Sequence, residues 1–112
     1  MIPHHTVTCF RIQARRRDDD ISIVTSGFAL RLEENPSSSS DSSSPPTFTI
    51  VSASLSFGGV GPCTRTAPLT EAHLVGKAFG PKAFEDAYAV LAKDIDMAPN
   101  APGGQVCSAL CV

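Results

Sequence analysis

Two stretches of the chain concentrate groups that could do chemistry. Arg15, Arg16 and Arg17 are followed directly by Asp18, Asp19 and Asp20. As a solvated run, such pairs contribute only ~0–1 kcal/mol each. Set beside a charged ligand, the same groups would shape the field around it. Gly58, Gly59 and Gly61 form the second stretch. A Walker-type phosphate loop needs Gly-Lys-Ser/Thr next, because the lysine neutralises phosphate and the hydroxyl holds magnesium. Pro62 and Cys63 follow instead. A dinucleotide fingerprint needs G-x-G-x-x-G opening a long helix, and the string does not match it. A glycine turn is the simpler reading.

The remaining reactive side chains are scattered. The cysteines are Cys9, Cys63, Cys107 and Cys111, with no C-x-x-C pair, and the histidines are His4, His5 and His73. A zinc site needs four converging ligands at recognised spacings, so no metal site is expected. In a reducing compartment the cysteines read as free thiols. No Ser/His/Asp set or isolated carboxylate pair stands out, and no catalytic residue is assigned.

Periodicity places these groups on few elements. Residues 21–33 read as a strand, with Ile21 and Ile23 on odd positions and Phe28, Leu30 and Leu32 on even ones. That change of parity predicts a bulge at Gly27. Residues 47–57 read as a second strand, with Val51, Ala53, Leu55 and Phe57 alternating against Ser52, Ser54 and Ser56. Between them lies a Ser/Pro tract at 36–46, which has nothing apolar to bury and predicts a mobile loop. A tolerated insertion and a phosphorylation platform are both open to it. A short strand over 63–67 follows. Thr70 is the expected cap of a short helix stopping near Gly76. Pro81 suits the first turn of a second helix. On that helix Phe84, Ala87, Tyr88, Leu91 and Ile95 form one apolar stripe, with Lys82, Glu85, Asp86, Lys93 and Asp94 largely opposite. The expected fold is α+β: an antiparallel sheet of about three strands covered on one face by helices, a two-layer sandwich.

Composition excludes several function classes. With 112 residues, of which 42% are hydrophobic and 18% charged, the chain suits one small globular domain. It would hide roughly 60–65% of its unfolded surface, too little for a large enzyme with its own cofactor fold. A net charge of −2 lacks the basic surplus of a nucleic-acid binder. No apolar run is long enough to span a membrane, and the first residues lack the basic start and apolar stretch of a secretory leader. The expected location is therefore cytoplasmic.

Four strings recur in a familiar order: QARRRDDDI from Gln13, VTSGFALR from Val24, LSFGGVGP from Leu55 and APNAPGG from Ala98. Together they resemble the C-terminal subdomain of the flavin-binding region in molybdenum hydroxylases. That family includes xanthine dehydrogenase, aldehyde oxidase and the medium subunit of carbon monoxide dehydrogenase. The resemblance covers residues 13–104. It implies a divergent N-terminal segment over 1–12, a divergent tail over 105–112, and loss of the family's final apolar helix.

The resemblance also implies a role. In the family, electrons pass from molybdenum through two iron–sulfur clusters to FAD, which reduces NAD or oxygen. The loop carrying Gln13, Arg16, Arg17 and Asp19 would lie beside the flavin and influence which acceptor reaches it. The family carries Phe-Lys directly before the glutamine, and that lysine approaches the flavin. Here those positions are Arg11 and Ile12. The main flavin surface lies upstream in such proteins, so the chain by itself is expected to bind no FAD and to catalyse nothing. Its expected partners are the remaining domains of a molybdo-flavoenzyme, with self-association in isolation and neither nucleic acid nor membrane. The alternatives are a standalone binding or scaffold module that kept the fold, and a regulatory adaptor read through its serine tract. Deleting residues 37–44 should change stability by no more than ~0.5 kcal/mol in urea unfolding, because a polar loop buries little and closure entropy varies slowly with length.

Overall fold

The computed structural model describes residues 4–14, 22–35 and 47–98. The charge run at 15–20, the Ser/Pro tract at 36–46 and the tail at 105–112 lie outside them. The described elements are β1 (His4–Gln13), β2 (Val24–Glu34), β3 (Phe48–Gly58), β4 (Arg65–Thr66), α1 (Pro68–Leu74) and α2 (Pro81–Asp94). The strands form one antiparallel sheet in the order β1-β2-β3-β4, and both helices lie on one face. The α+β two-layer sandwich is therefore as expected, with a fourth strand, β1, at the edge.

β2 places Val24, Ser26, Phe28, Leu30 and Leu32 toward the helices. Its register runs unbroken through Gly27, which lies opposite Phe10 on β1 and Ser56 on β3. The expected bulge at Gly27 is therefore corrected. The change of parity had rested on Ile21, outside the described residues, and on Ile23, which precedes the ladder and packs against the core from there. The irregularity is on β3: Leu32 faces Ile50 while Arg31 faces Ser52, so Val51 is the extra residue. One inserted residue reverses every side chain before it. Phe48 and Ile50 thus share the inward face with Ala53, Leu55 and Phe57. Ile50 is fully buried and Val51 is 37% exposed, opposite to the simple alternation.

Both helices differ in detail from their sequence reading. Thr70 is buried inside α1, and the capping position belongs to Ala67, which has no side-chain oxygen. Asp94 supplies the missing acceptor from the last turn of α2. Its carboxylate accepts the Leu69 N–H at 3.2 Å, the Thr70 N–H at 2.8 Å and the Thr70 hydroxyl at 2.7 Å. α1 ends at Leu74 with Val75 as its C-terminal cap, and Gly76 follows at φ 83°, a conformation glycine adopts without strain. In α2 Pro81 stands in the first turn as expected. Ala83, Ala87 and Ile95 are buried, with Phe84 and Leu91 partly so, whereas Tyr88 is 58% exposed.

Gly59 has φ 81°, and a Cβ there would stand 2.1 Å from the Ile23 carbonyl oxygen. The turn after β3 can therefore cross the start of β2 only as glycine. Gly59→Ala should destabilise the chain by at least ~1–2 kcal/mol from its backbone conformation alone, with the clash added, as read by urea unfolding. Burial tends to raise the Asp94 carboxyl, but the Thr70 and Leu69 donors outweigh it and hold the pKa below the ordinary 3.8. A group lowered on folding stabilises fully above its unfolded pKa and loses that contribution as pH falls through the folded value. Asp94→Ala should accordingly cost ~1 kcal/mol near pH 7, as for a lost helix cap on a partly exposed site. The gap between wild type and variant should close as pH falls below 3.8, followed by thermal unfolding.

Candidate functional site

The antiparallel order decides which loops meet. Gln13 lies opposite Val24, and Thr25 lies opposite Gly58. The chain after Gln13 and the glycine turn after Gly58 therefore leave the same end of the sheet. The Ile23 N–H donates to the Gln13 carbonyl at 2.7 Å, joining the chain on either side of the charged segment. Gly59 then crosses against the Ile23 carbonyl. Arg65 on β4 pairs with Phe57 at this same end, and its side chain packs near Gly61. Two of the recurrent strings, starting at Gln13 and at Leu55, are thus brought together by strand register.

Of the four expected flavin-adjacent residues, Gln13 is half-buried at the end of β1. Arg16, Arg17 and Asp19 lie outside the described residues. Arg11 and Ile12 are both within β1, and successive strand residues project to opposite faces. Arg11 pairs with Ser26 and shares its helix-side face; Ile12 pairs with Thr25 and shares the other face, 72% exposed. Arg11 therefore cannot replace a lysine at position 12, although it is only one residue away. Ser26, between Arg11 and Phe57 across the strands, has a buried hydroxyl with no hydrogen-bond partner among the described residues.

Cys9 and Cys63 are free and exposed, while Cys107 and Cys111 lie outside the described residues. Among the described residues no group of three or more His, Cys, Asp and Glu is placed to hold a metal ion. No helix among them is long and apolar enough to cross a membrane.

Sequence reading missed Glu71 and Asp94, which fasten the elements beneath the site. Glu71 Oε1 accepts the Leu55 N–H at 2.8 Å, joining α1 to β3. Asp94 had been placed on the solvated side of α2. One signal was available: a carboxylate in the last turn of a helix opposes that helix's own dipole, so it stands there more favourably against another helix's first turn.

Comparison with known proteins gives a consistent picture. The family model for the CO dehydrogenase flavoprotein C-terminal domain matches residues 9–106. Xanthine dehydrogenase 1 of Arabidopsis thaliana is 36% identical over 94 residues, covering 84% of this chain and 6% of that protein. Nicotinate hydroxylase hnxS of Emericella nidulans is 37% identical over 93 residues, covering 82% of this chain and 6% of that protein. The chain thus spans about 6% of the length of these relatives. The crystal structure of quinoline 2-oxidoreductase from Pseudomonas putida 86 superposes with a TM-score of 0.58 at 18% identity, over 92% of this chain and 32% of that one. At that identity the likeness is one of fold.

Proposed function

We propose a flavin-flanking role for this chain, which belongs to the CO dehydrogenase flavoprotein C-terminal domain family. In this reading it is the equivalent of the subdomain beside the FAD site of a xanthine-dehydrogenase-like enzyme. The strand ladder would hold the loop that begins at Gln13 against the flavin's surroundings, where Arg16, Arg17 and Asp19 would tune the local field and the access of NAD or oxygen. The observation that carries the reading is the placement of Gln13 and the Gly58–Gly61 turn at one end of the sheet, both inside the family match. When bound, FAD would supply the two-electron chemistry; the chain's own part is to position and to exclude.

The described residues do not fit FAD as a self-sufficient site. The strand position before Gln13 presents apolar Ile12 to solvent, and Arg11 is turned to the opposite face. The glycine turn closes on the Ile23 backbone, leaving no room there even for a Cβ. Holding the cofactor would fall to the rest of a longer flavoprotein, and no reaction step is assigned to this chain.

Two measurements on one protein pair test this. Titration of the purified chain with FAD, followed by flavin fluorescence, should show no binding in the micromolar range. A chimera should behave differently: residues 9–106 replacing the matched segment of the Arabidopsis enzyme should retain FAD in the purified protein. A chimera that folds but loses its flavin would sink the flanking role. Micromolar binding by the isolated chain would sink the claim that it lacks a complete site.

A further inference from the structure

The two edges of this sheet are treated differently. Beyond β3, the Glu71 carboxylate, the two residues of β4 and the chain at 76–79 occupy the strand's second edge. Among the described residues β1 pairs only with β2, so its other edge presents a ten-residue strand. From His4 to Ile12 every residue is exposed, including Val7 at 43%, Phe10 at 79% and Ile12 at 72%. The strand itself carries little that would protect this edge: His4–Gln13 has no proline, and its one full charge is Arg11.

We infer that this edge pairs with the same edge of a second copy, joining two sheets into one across a two-fold axis at Cys9. The register follows from geometry. A two-fold axis perpendicular to the sheet superposes like faces, so facing residues must share parity, and the axis must pass through a residue position. Thr8 and Cys9 are the two centres that use most of the strand. Centred on Thr8, Arg11 faces His5 of the second copy, so the strand's one full charge is set against a polar side chain that offers it no carboxylate. Centred on Cys9, Arg11 faces Val7 and the two guanidiniums stand well apart. The Cys9 register also sets Thr8 against Phe10 and Thr6 against Ile12, the β-branched and aromatic pairs that stabilise facing strands. The ladder hydrogen bonds that the edge leaves open are satisfied at the same time. This pairing concerns the chain as an isolated protein and does not depend on the flavin reading.

The test uses the full chain with Cys9 as its only cysteine (Cys63→Ser, Cys107→Ser, Cys111→Ser). Sedimentation should show a concentration-dependent dimer, and a short bismaleimide should link Cys9 to Cys9 in it. Thr8→Lys sets a cation against Phe10 and places the two lysines near one another. It should weaken the dimer at least tenfold while leaving the circular dichroism of the dilute monomer unchanged. A chain that stays monomeric at high concentration overturns the inference. So does a dimer that resists Thr8→Lys or does not link through Cys9, since another surface would then be responsible. Assemblies larger than two would also overturn it, because a two-fold contact closes on itself.

Discussion

An inner strand has two edges, and neither can leave its backbone groups unpaired without cost. β2 satisfies one edge of β3 along most of its length. Among the described residues no full strand lies on the other side. The chain covers that side with three different devices in succession. Around Phe48 and Ile50, the stretch that follows α1 bonds as a partial strand: Ile50 N–H to the Lys77 carbonyl at 2.9 Å, Gly76 N–H to the Ile50 carbonyl and Phe79 N–H to the Phe48 carbonyl, both at 2.8 Å. At Leu55 a side chain, Glu71, takes the place of a backbone carbonyl. At Ser56 and Phe57 the two residues of β4 complete the edge. α1 therefore packs on the core and also completes the sheet, so its position is tied to β3 by polar bonds as well as by Leu74.

Asp94 matters for the same reason. α1 has only seven residues, and a helix that short has little stability of its own. Its first turn begins at Ala67 and Pro68, neither of which offers a capping oxygen. The acceptor comes instead from the end of α2, so each helix helps to hold the other in place. Glu71 and Asp94 then link three elements in a row, α2 to α1 to β3. Beneath the Gln13 end of the sheet there is thus a frame fixed by side-chain carboxylates, in a chain whose core is thin.

The two strands, the short third strand and both helices were legible because apolar spacing survives wherever one face is buried. β1 was not. It is exposed on both faces, so nothing selects alternation, and its apolar residues Val7, Phe10 and Ile12 fall on both parities. The β3 bulge was hidden because Ile50 and Val51 are adjacent and equally apolar; only the pairing with β2 decides which turns inward. Tyr88 keeps helical spacing but stays exposed, since α2 buries its small alanines at the closest approach. At the candidate site, Gln13 was assigned from a motif rather than from physics. The opposed faces of Arg11 and Ile12 follow from strand geometry, but only once β1 is known to be a strand.

The alternation of loops along the sheet has one more effect. The foot of the Ser/Pro tract, Asn35 and Thr47, is closed by an N–H to carbonyl bond of 2.9 Å at one end of β2. The chain after Gln13 leaves from the other end. The eleven residues of β2 separate them by about 35 Å. Charges in physiological salt are screened over about 8 Å. A phosphate held at the foot of the tract would therefore be electrostatically silent at the far end of β2.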